Sequence, residues 1–344
     1  MIFHEYFPLT RHNTFGLPSR TLFFAAPITD DELRYLLTSV TARNLPLLIL
    51  GGGSNVILAG DIAGMTLQPA MRGIRCLAET RDHYLVETAS GERWHDFVQY
   101  TLAQNWYGLE NLSLIPGTVG AAPIQNIGAY GVEITDRLLS LTAMEIATGK
   151  LREFSHAECR FGYRDSVFKQ ALRGQYVIVR ARFRLFKQPT LKTDYGDIQK
   201  ELTQAGIASP TPRQVAAAII AIRQRKLPSP DALGNAGSFF KNPLIPAADF
   251  ERLRAAFPDI VAYPQAQEEQ RAHVKLAAGW LIERAGWKGR SIGPVGSYAH
   301  QALVLVNHGG ATGADVMRVA RAIQSDIRQQ FGVTLEMEPQ IYGA

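Results

Sequence analysis

The chain has 344 residues, 46% hydrophobic and 19% charged, enough to bury sizeable cores in two or three domains without disulfides. Its two cysteines, Cys76 and Cys159, are far apart in sequence and form no CxxC or Cys/His cluster, which argues against a cysteine-based metal site and for a reducing compartment. The net charge of +5 favours anionic partners, yet basic residues are dispersed except in "RQRK" at Arg223 to Lys226, so no nucleic-acid stripe is visible.

In chain order, the opening "MIFHEYFPLTRHNTFG" lacks the layout of a signal peptide. "TDDELRYLLTSV" predicts a helix with a capping box at Thr29 and Glu32 and an apolar face of Leu33, Leu36, Leu37 and Val40. "LPLLILGGGSNVIL" reads as strand, glycine loop and strand. No helix follows the glycines, so the Rossmann and P-loop signatures are absent. Read alone, Gly51 to Asn55 fits either an anion-binding nest for a pyrophosphate or a tight hairpin turn. A strand at His83 to Ala89 and a helix at Glu92 to Asn105 come next.

Residues 114 to 131, "LIPGTVGAAPIQNIGAYG", carry glycines, prolines and the Gln125–Asn126 pair in apolar surroundings. Such a loop must satisfy its backbone polar groups, and the edge of a flat heterocyclic cofactor can do so. "LSLTAMEIATGKLREF" predicts a hairpin about Thr148–Gly149, and "YVIVRARFRLF" a strand alternating apolar residues with arginine. A helix from Thr211 to Lys226 precedes a boundary at "LPSPDALGNAG". Helices near Ala247 to Phe257 and Val274 to Ala285, a strand at Ala302 to Asn307, a capped helix from Thr312 to Phe331 and a last strand complete the chain. The longest apolar run, Val215 to Ile222, is far short of a membrane span. The histidines show no metal-binding spacing, so no catalytic metal is expected.

Five motifs in this order, "GGGSN", "LIPGTVGAAPIQNIGAYG", "CRFGYRDSVFK", "GNAGSFFKNP" and the terminal "LEMEP", resemble the UDP-N-acetylenolpyruvoylglucosamine reductase (UDP-N-acetylmuramate dehydrogenase) family from end to end. "TDYGDI" around Tyr195 further resembles the type I subclass, which carries a tyrosine loop over the substrate. The resemblance implies an α+β protein: an FAD-binding fold of the vanillyl-alcohol-oxidase type in two subdomains, plus a smaller α/β substrate-binding domain. The implied division is 1–72, 73–227 with 325–344, and 228–324.

It also implies reduction of the enolpyruvyl group of UDP-N-acetylglucosamine-enolpyruvate by NADPH through bound FAD, for peptidoglycan precursors. A monomeric, cytoplasmic bacterial enzyme without nucleic-acid or membrane partner is expected. On this resemblance Gly51, Gly52, Gly53, Ser54 and Asn55 cradle the pyrophosphate. Pro116, Gly117, Gln125, Asn126, Gly128, Ala129 and Tyr130 then line the isoalloxazine pocket. Ala122 and Gln340 stand where relatives often have serine and arginine, each removing a contact of about 1 kcal/mol.

Hydride addition to an enol ether leaves an enolate-like dianion, which needs cations or hydrogen-bond donors and a nearby acid. The resemblance assigns Arg164 to grip the carboxylate, Ser238 to donate the proton and Glu336, protonated, to stabilise the new charge. Read alone, Ser238 is a turn hydroxyl and no GxSxG nucleophile. Tyr195 is implied over the nucleotide and Lys226 and Asn242 at the diphosphate, with Tyr163, Arg223, Tyr263, Lys275 and Gln301 as further contacts. Two other readings stand beside this one: another oxidase on the same flavin fold, and a non-enzymatic nucleotide- or RNA-binding protein.

Overall fold

The computed structural model of the protein describes residues 3–263 and 272–343. The chain divides into two compact units. Met1–Pro8, Arg20–Gly53 and Ile62–Arg225 make the first; Leu9–Ser19, Ser54–Asp61 and Lys226–Ala344 make the second. The described helices are α1 (Asp30–Ala42), α2 (Trp94–Ala103), α3 (Ile198–Gln204), α4 (Pro212–Lys226), α5 (Ala247–Ala256), α6 (Ala278–Arg284) and α7 (Gly313–Phe331).

In the first unit a mixed sheet orders Phe3–Pro8, Arg20–Ala25, Ile62–Leu67 and Leu47–Ile49. Against it α1 buries Leu33, Leu36, Leu37 and Val40, the face its periodicity predicts. The Thr29 hydroxyl accepts from Glu32 N at 3.1 Å, while the Glu32 carboxylate reaches one residue further, to Ile28 N at 2.9 Å. A second, antiparallel sheet orders Leu151–Ser155, Leu138–Glu145, Tyr176–Phe186, His83–Ala89 and Ile74–Glu79.

The period-2 pattern of Tyr176–Phe186 explains its two faces. Ala181, Phe183 and Leu185 pack with Trp94, Phe97, Val98 and Leu102 of α2. On the opposite face Arg182 bridges Glu87 at 2.9 Å and Glu153 at 2.6 Å, and Arg75 reaches Glu87 at 2.5 Å. Burial alone would raise the Glu87 pKa, but hydrogen bonds from Arg182 and Arg75 overcome it and hold the carboxyl below its ordinary value.

In the second unit Gly234–Ser238, Gln301–Asn307, Val295–Tyr298 and Ser291–Ile292 form an antiparallel sheet. Helix α7 packs there through Val316, Val319, Ala320, Ile323 and Ile327, in a core shared with Phe15, Leu17 and Ile57. Its start is a full capping box, Thr312 with Asp315, and its end is Gly332 in the left-handed region at φ 70°. A small sheet orders Leu244–Pro246, His273–Leu276 and Ala262–Tyr263.

Three expectations need correction. The helix at Val274–Ala285 begins only at Ala278, because His273–Leu276 is a strand paired with Leu244–Pro246. The glycine loop is no hairpin turn, since Leu47–Ile49 pairs with Ile62–Leu67 and Val56–Leu58 with Gln340–Tyr342. That last pairing also takes the terminal strand away from residues 73–227, where it was expected.

Candidate active site

The first unit supplies a loop pressed against glycines. Gly52 runs so close to the 114–131 loop that an added Cβ would lie 2.7 Å from Gly117 Cα; at Gly51 it would lie 2.8 Å from Ala121 Cβ. Only glycine permits that approach. Gly53, buried at φ 64°, closes the turn, and the boundary between the units falls between Gly53 and Ser54. Gly117, at φ 110° beside the exposed Pro116, accepts through its carbonyl from Trp94 N at 3.0 Å.

Beyond it, Ala122–Gln125 forms a 3₁₀ turn, and Gly128–Ala129 pairs with Val132–Glu133. Asn126 turns its side chain into the loop. It lies buried at φ 47°, its amide donating to Glu133 at 2.8 Å and Gly162 O at 2.9 Å, its Oδ1 accepting from Thr135 N at 3.2 Å. Its side chain pins the loop instead of reaching out of it.

Arg164 sits at a forced position. Gly162 and Asp165 exchange backbone hydrogen bonds around Tyr163 and Arg164, and Arg164 takes φ 54°. An arginine in the left-handed region is strained, which is common where a side chain must be aimed. Its guanidinium donates to Gly128 O at 3.1 Å and lies 5.4 Å from the Tyr163 ring centre.

Tyr130, at φ 50°, meets Tyr195 edge-on at 6.1 Å. Asn111 fixes both segments, donating to Tyr130 O and Lys192 O at 2.9 Å each. The half-exposed Tyr195 is thus carried on a loop fastened to the 114–131 segment. Arg223, on α4, lies near Tyr130 and has no carboxylate partner among the described residues. Burial lowers its pKa, and Arg164 nearby adds to the effect. Burial likewise raises the Tyr130 pKa.

The second unit supplies the serine. Asn235 accepts from Gly237 N at 3.0 Å and donates to Pro228 O at 3.1 Å, shaping the bend at Gly237, φ 68°. The strand then slips register, so that half-buried Ser238 lies opposite Val304. Phe239 and Phe240 are fully buried with ring centres 5.3 Å apart. The next residues run beside the terminal motif: Glu338 N donates to Phe239 O, and Lys241 N to Glu336 O, both at 2.9 Å.

The two glutamates of "LEMEP" differ in their surroundings. The Glu336 side chain is 71% exposed and ion-paired with Lys241, so it lacks the dry environment expected of a protonated donor. Glu338 is only 9% exposed and backbone-bonded to the residue after Ser238. Sequence reasoning passed over Glu338; the signal available was the proximity of Gln340, two residues on, at the position noted for arginine in relatives. Asn55 anchors this motif, its carbonyl accepting from Gln340 N at 3.1 Å.

Nearby, Asn242 Oδ1 accepts from Ala278 N at 2.9 Å, a long-range cap for α6, which leaves its amide protons directed elsewhere. Tyr263 and Lys275 pair across strands, and Leu276 N donates to Pro243 O, so Asn242, Tyr263 and Lys275 share one corner. Gln301 opens the strand beside α6. Lys226 ends α4.

Comparison with known proteins places this geometry. The profile for UDP-N-acetylenolpyruvoylglucosamine reductase, C-terminal domain, matches residues 229–342, and one for an FAD binding domain matches residues 21–155. The chain is 53% identical to the UDP-N-acetylenolpyruvoylglucosamine reductase of Pseudomonas aeruginosa, covering 98% of each chain. It belongs to the UDP-N-acetylenolpyruvoylglucosamine reductase family.

A second reductase of that name, from Paraburkholderia phymatum, is also 53% identical, over 97% of this chain and 96% of the relative. The crystal structure of UDP-N-acetylenolpyruvylglucosamine reductase from Thermus caldophilus, at 20% identity, superposes with TM-score 0.66 over 99% of this chain and 98% of that one. The α+β class with an FAD-binding part therefore holds. The family is one of FAD-dependent oxidoreductases, so the reading as a non-enzymatic binder falls away. Among the described residues no helix is long and apolar enough to cross a membrane.

Proposed function

We propose that this chain reduces the enolpyruvyl group of UDP-N-acetylglucosamine-enolpyruvate to the lactyl ether of UDP-N-acetylmuramate, with NADPH as co-substrate, as a soluble step of peptidoglycan precursor synthesis. The observation that carries the reading is the pairing of the buried Glu338 segment with Phe239, which sets a carboxyl and the Ser238 hydroxyl on adjoining backbone. Residues 1–72 and 73–227 hold the cofactor and 228–324 cover the substrate.

The residues present fit FAD: the glycine surface at Gly51 and Gly52 would be filled by any Cβ, and Arg223 is a half-buried cation with no carboxylate partner among the described residues. When bound, FAD supplies the hydride, received from NADPH and delivered to the terminal methylene carbon of the substrate. Gly51 to Asn55 would hold the pyrophosphate through backbone N–H groups. Arg164 holds the substrate carboxylate through its planar fork, in an aim fixed by the strained turn. Ser238 gives its proton to the carbon beside that carboxylate, and Phe239 and Phe240 behind it exclude water. Glu338, in place of Glu336, is the carboxylic acid that hydrogen-bonds the developing dianion.

Asn242, with its oxygen engaged by α6, turns N–H donors to the diphosphate alongside Lys226 and Lys275, while Tyr263 packs in the same corner. Tyr195 closes over the nucleotide, the arrangement of the type I subclass.

The test separates the two halves of the turnover. Ser238→Ala should stay yellow and be bleached by NADPH at close to the normal rate. It should then recolour at least about 100-fold more slowly with the enolpyruvyl substrate, the scale of a lost general acid. Equal slowing of both halves, or of neither, would make Ser238 a turn residue only.

A further inference from the structure

The segment before Pro116 is bent at a residue unsuited to the bend. Leu114 takes φ 58°, a conformation in which a leucine side chain crowds its own backbone. Two side chains from different helices hold its peptide groups. His95, in the first turn of α2, accepts from Leu114 N through Nδ1 at 2.9 Å. Arg223, on α4, donates through Nε to Leu114 O at 3.3 Å. Next to His95 on α2, Trp94 donates through its indole to Leu112 O at 3.0 Å and through its backbone to Gly117 O at 3.0 Å. The turn is therefore gripped on both sides of the Leu114 peptide, immediately before the loop that lies against Gly51 and Gly52.

We infer that His95 is a positioning residue for the cofactor loop: its unprotonated Nδ1 locks the left-handed bend at Leu114 and so sets Pro116 and Gly117 in place. This rests on the reading of that loop as the flavin pocket. The bond exists only while Nδ1 carries a lone pair, so the imidazole is neutral with its proton on Nε2. Burial, as the main cause, keeps the His95 pKa below the usual histidine value. Asp96 opposes that, and Arg93 and Arg223 assist it; Arg93 and Asp96 flank it on α2 and Arg223 faces it from α4. Acidification through that pKa turns the acceptor into a donor aimed at another donor, and the Leu114 bend loses its lock.

The test follows FAD release from the holoprotein by recovery of flavin fluorescence, between pH 8.5 and 5. Wild type should bind FAD tightly at pH 8 and lose affinity about tenfold in an acid step below pH 6.5, the scale of one buried donor left unsatisfied. His95→Asn, whose Oδ1 still accepts but does not titrate, should bind nearly as well at pH 8 and lack the acid step. His95→Phe should bind about tenfold more weakly at all pH values. In a Leu114→Gly background, where the bend is unstrained, that penalty should largely vanish. If His95→Phe fails to fold, the asparagine variant decides alone. A retained acid step in His95→Asn, or wild-type affinity in His95→Phe, overturns the inference. Absence of FAD binding by wild type at pH 8 would instead overturn the cofactor reading on which it stands.

Discussion

Two glutamates two residues apart in one motif differ in burial and in partner, Glu338 being covered and Glu336 exposed and paired with Lys241. Glu338→Gln should leave reduction by NADPH close to normal and slow reoxidation by substrate about 100-fold or more, because an amide donates more weakly than a carboxylic acid. Glu336→Gln should change either step little, since an exposed pair with Lys241 is worth about 1 kcal/mol or less. Rapid-mixing measurements of each half-reaction decide; the reverse ranking would restore Glu336. Arg164→Lys should lower turnover at least about tenfold, as an ammonium on the same strained turn cannot grip a carboxylate with two parallel hydrogen bonds. Near-normal turnover would remove Arg164 from the chemistry. Ser238 and Arg164 stand out in the sequence through their motifs, and the structure sets the one beside two buried phenylalanines and the other on a strained turn. The choice of glutamate is not legible there, because alternation along an extended segment says nothing about which side chain a neighbouring strand covers. The Asn126 side chain was hidden for a related reason: an amide among apolar residues marks a constrained loop, whether it serves a ligand or the loop itself.

The same contrast recurs among the helices, strands and loops. α1 and α7 were legible because their caps and apolar faces are local; Thr312→Ala should cost about 1 kcal/mol, read as a lower urea midpoint. The strand at His273–Leu276 was hidden inside an expected helix because its partner Leu244–Pro246 and the Asn242 cap of α6 are remote in sequence. The glycine loop is likewise decided by a distant segment. Gly52→Ala should lose FAD affinity by tenfold or more at unchanged secondary structure, since the new methyl group would lie 2.7 Å from the Gly117 backbone, which cannot yield cheaply. Retention of flavin through purification at the wild-type ratio would count against a tight glycine cradle.

For the molecule as a whole, acid resistance leans on the charge ladder across the antiparallel sheet. The Glu87 carboxyl is held below its ordinary value of 4.5, so its contribution is complete above that pH and fades as the pH falls through the lowered value. Glu87→Gln should therefore cost about 2 kcal/mol at pH 7, and the gap from wild type should narrow below pH 4.5. Parallel urea midpoints at every pH would refute the linkage. The alternation that places this ladder was plain in "YVIVRARFRLF"; the crossing of the chain between two units was not, because no local pattern encodes a partner so far away. During synthesis Val56–Leu58 leaves the ribosome early, while Gln340–Tyr342, its parallel partner, follows almost a whole chain later. Phe15, Leu17 and Ile57 must wait for the same late segments before they have a core to enter. Contacts of such long sequence separation form slowly, so the newborn chain spends its growth with apolar surface open to chaperones, and a stop a few codons early withholds the strand that closes it.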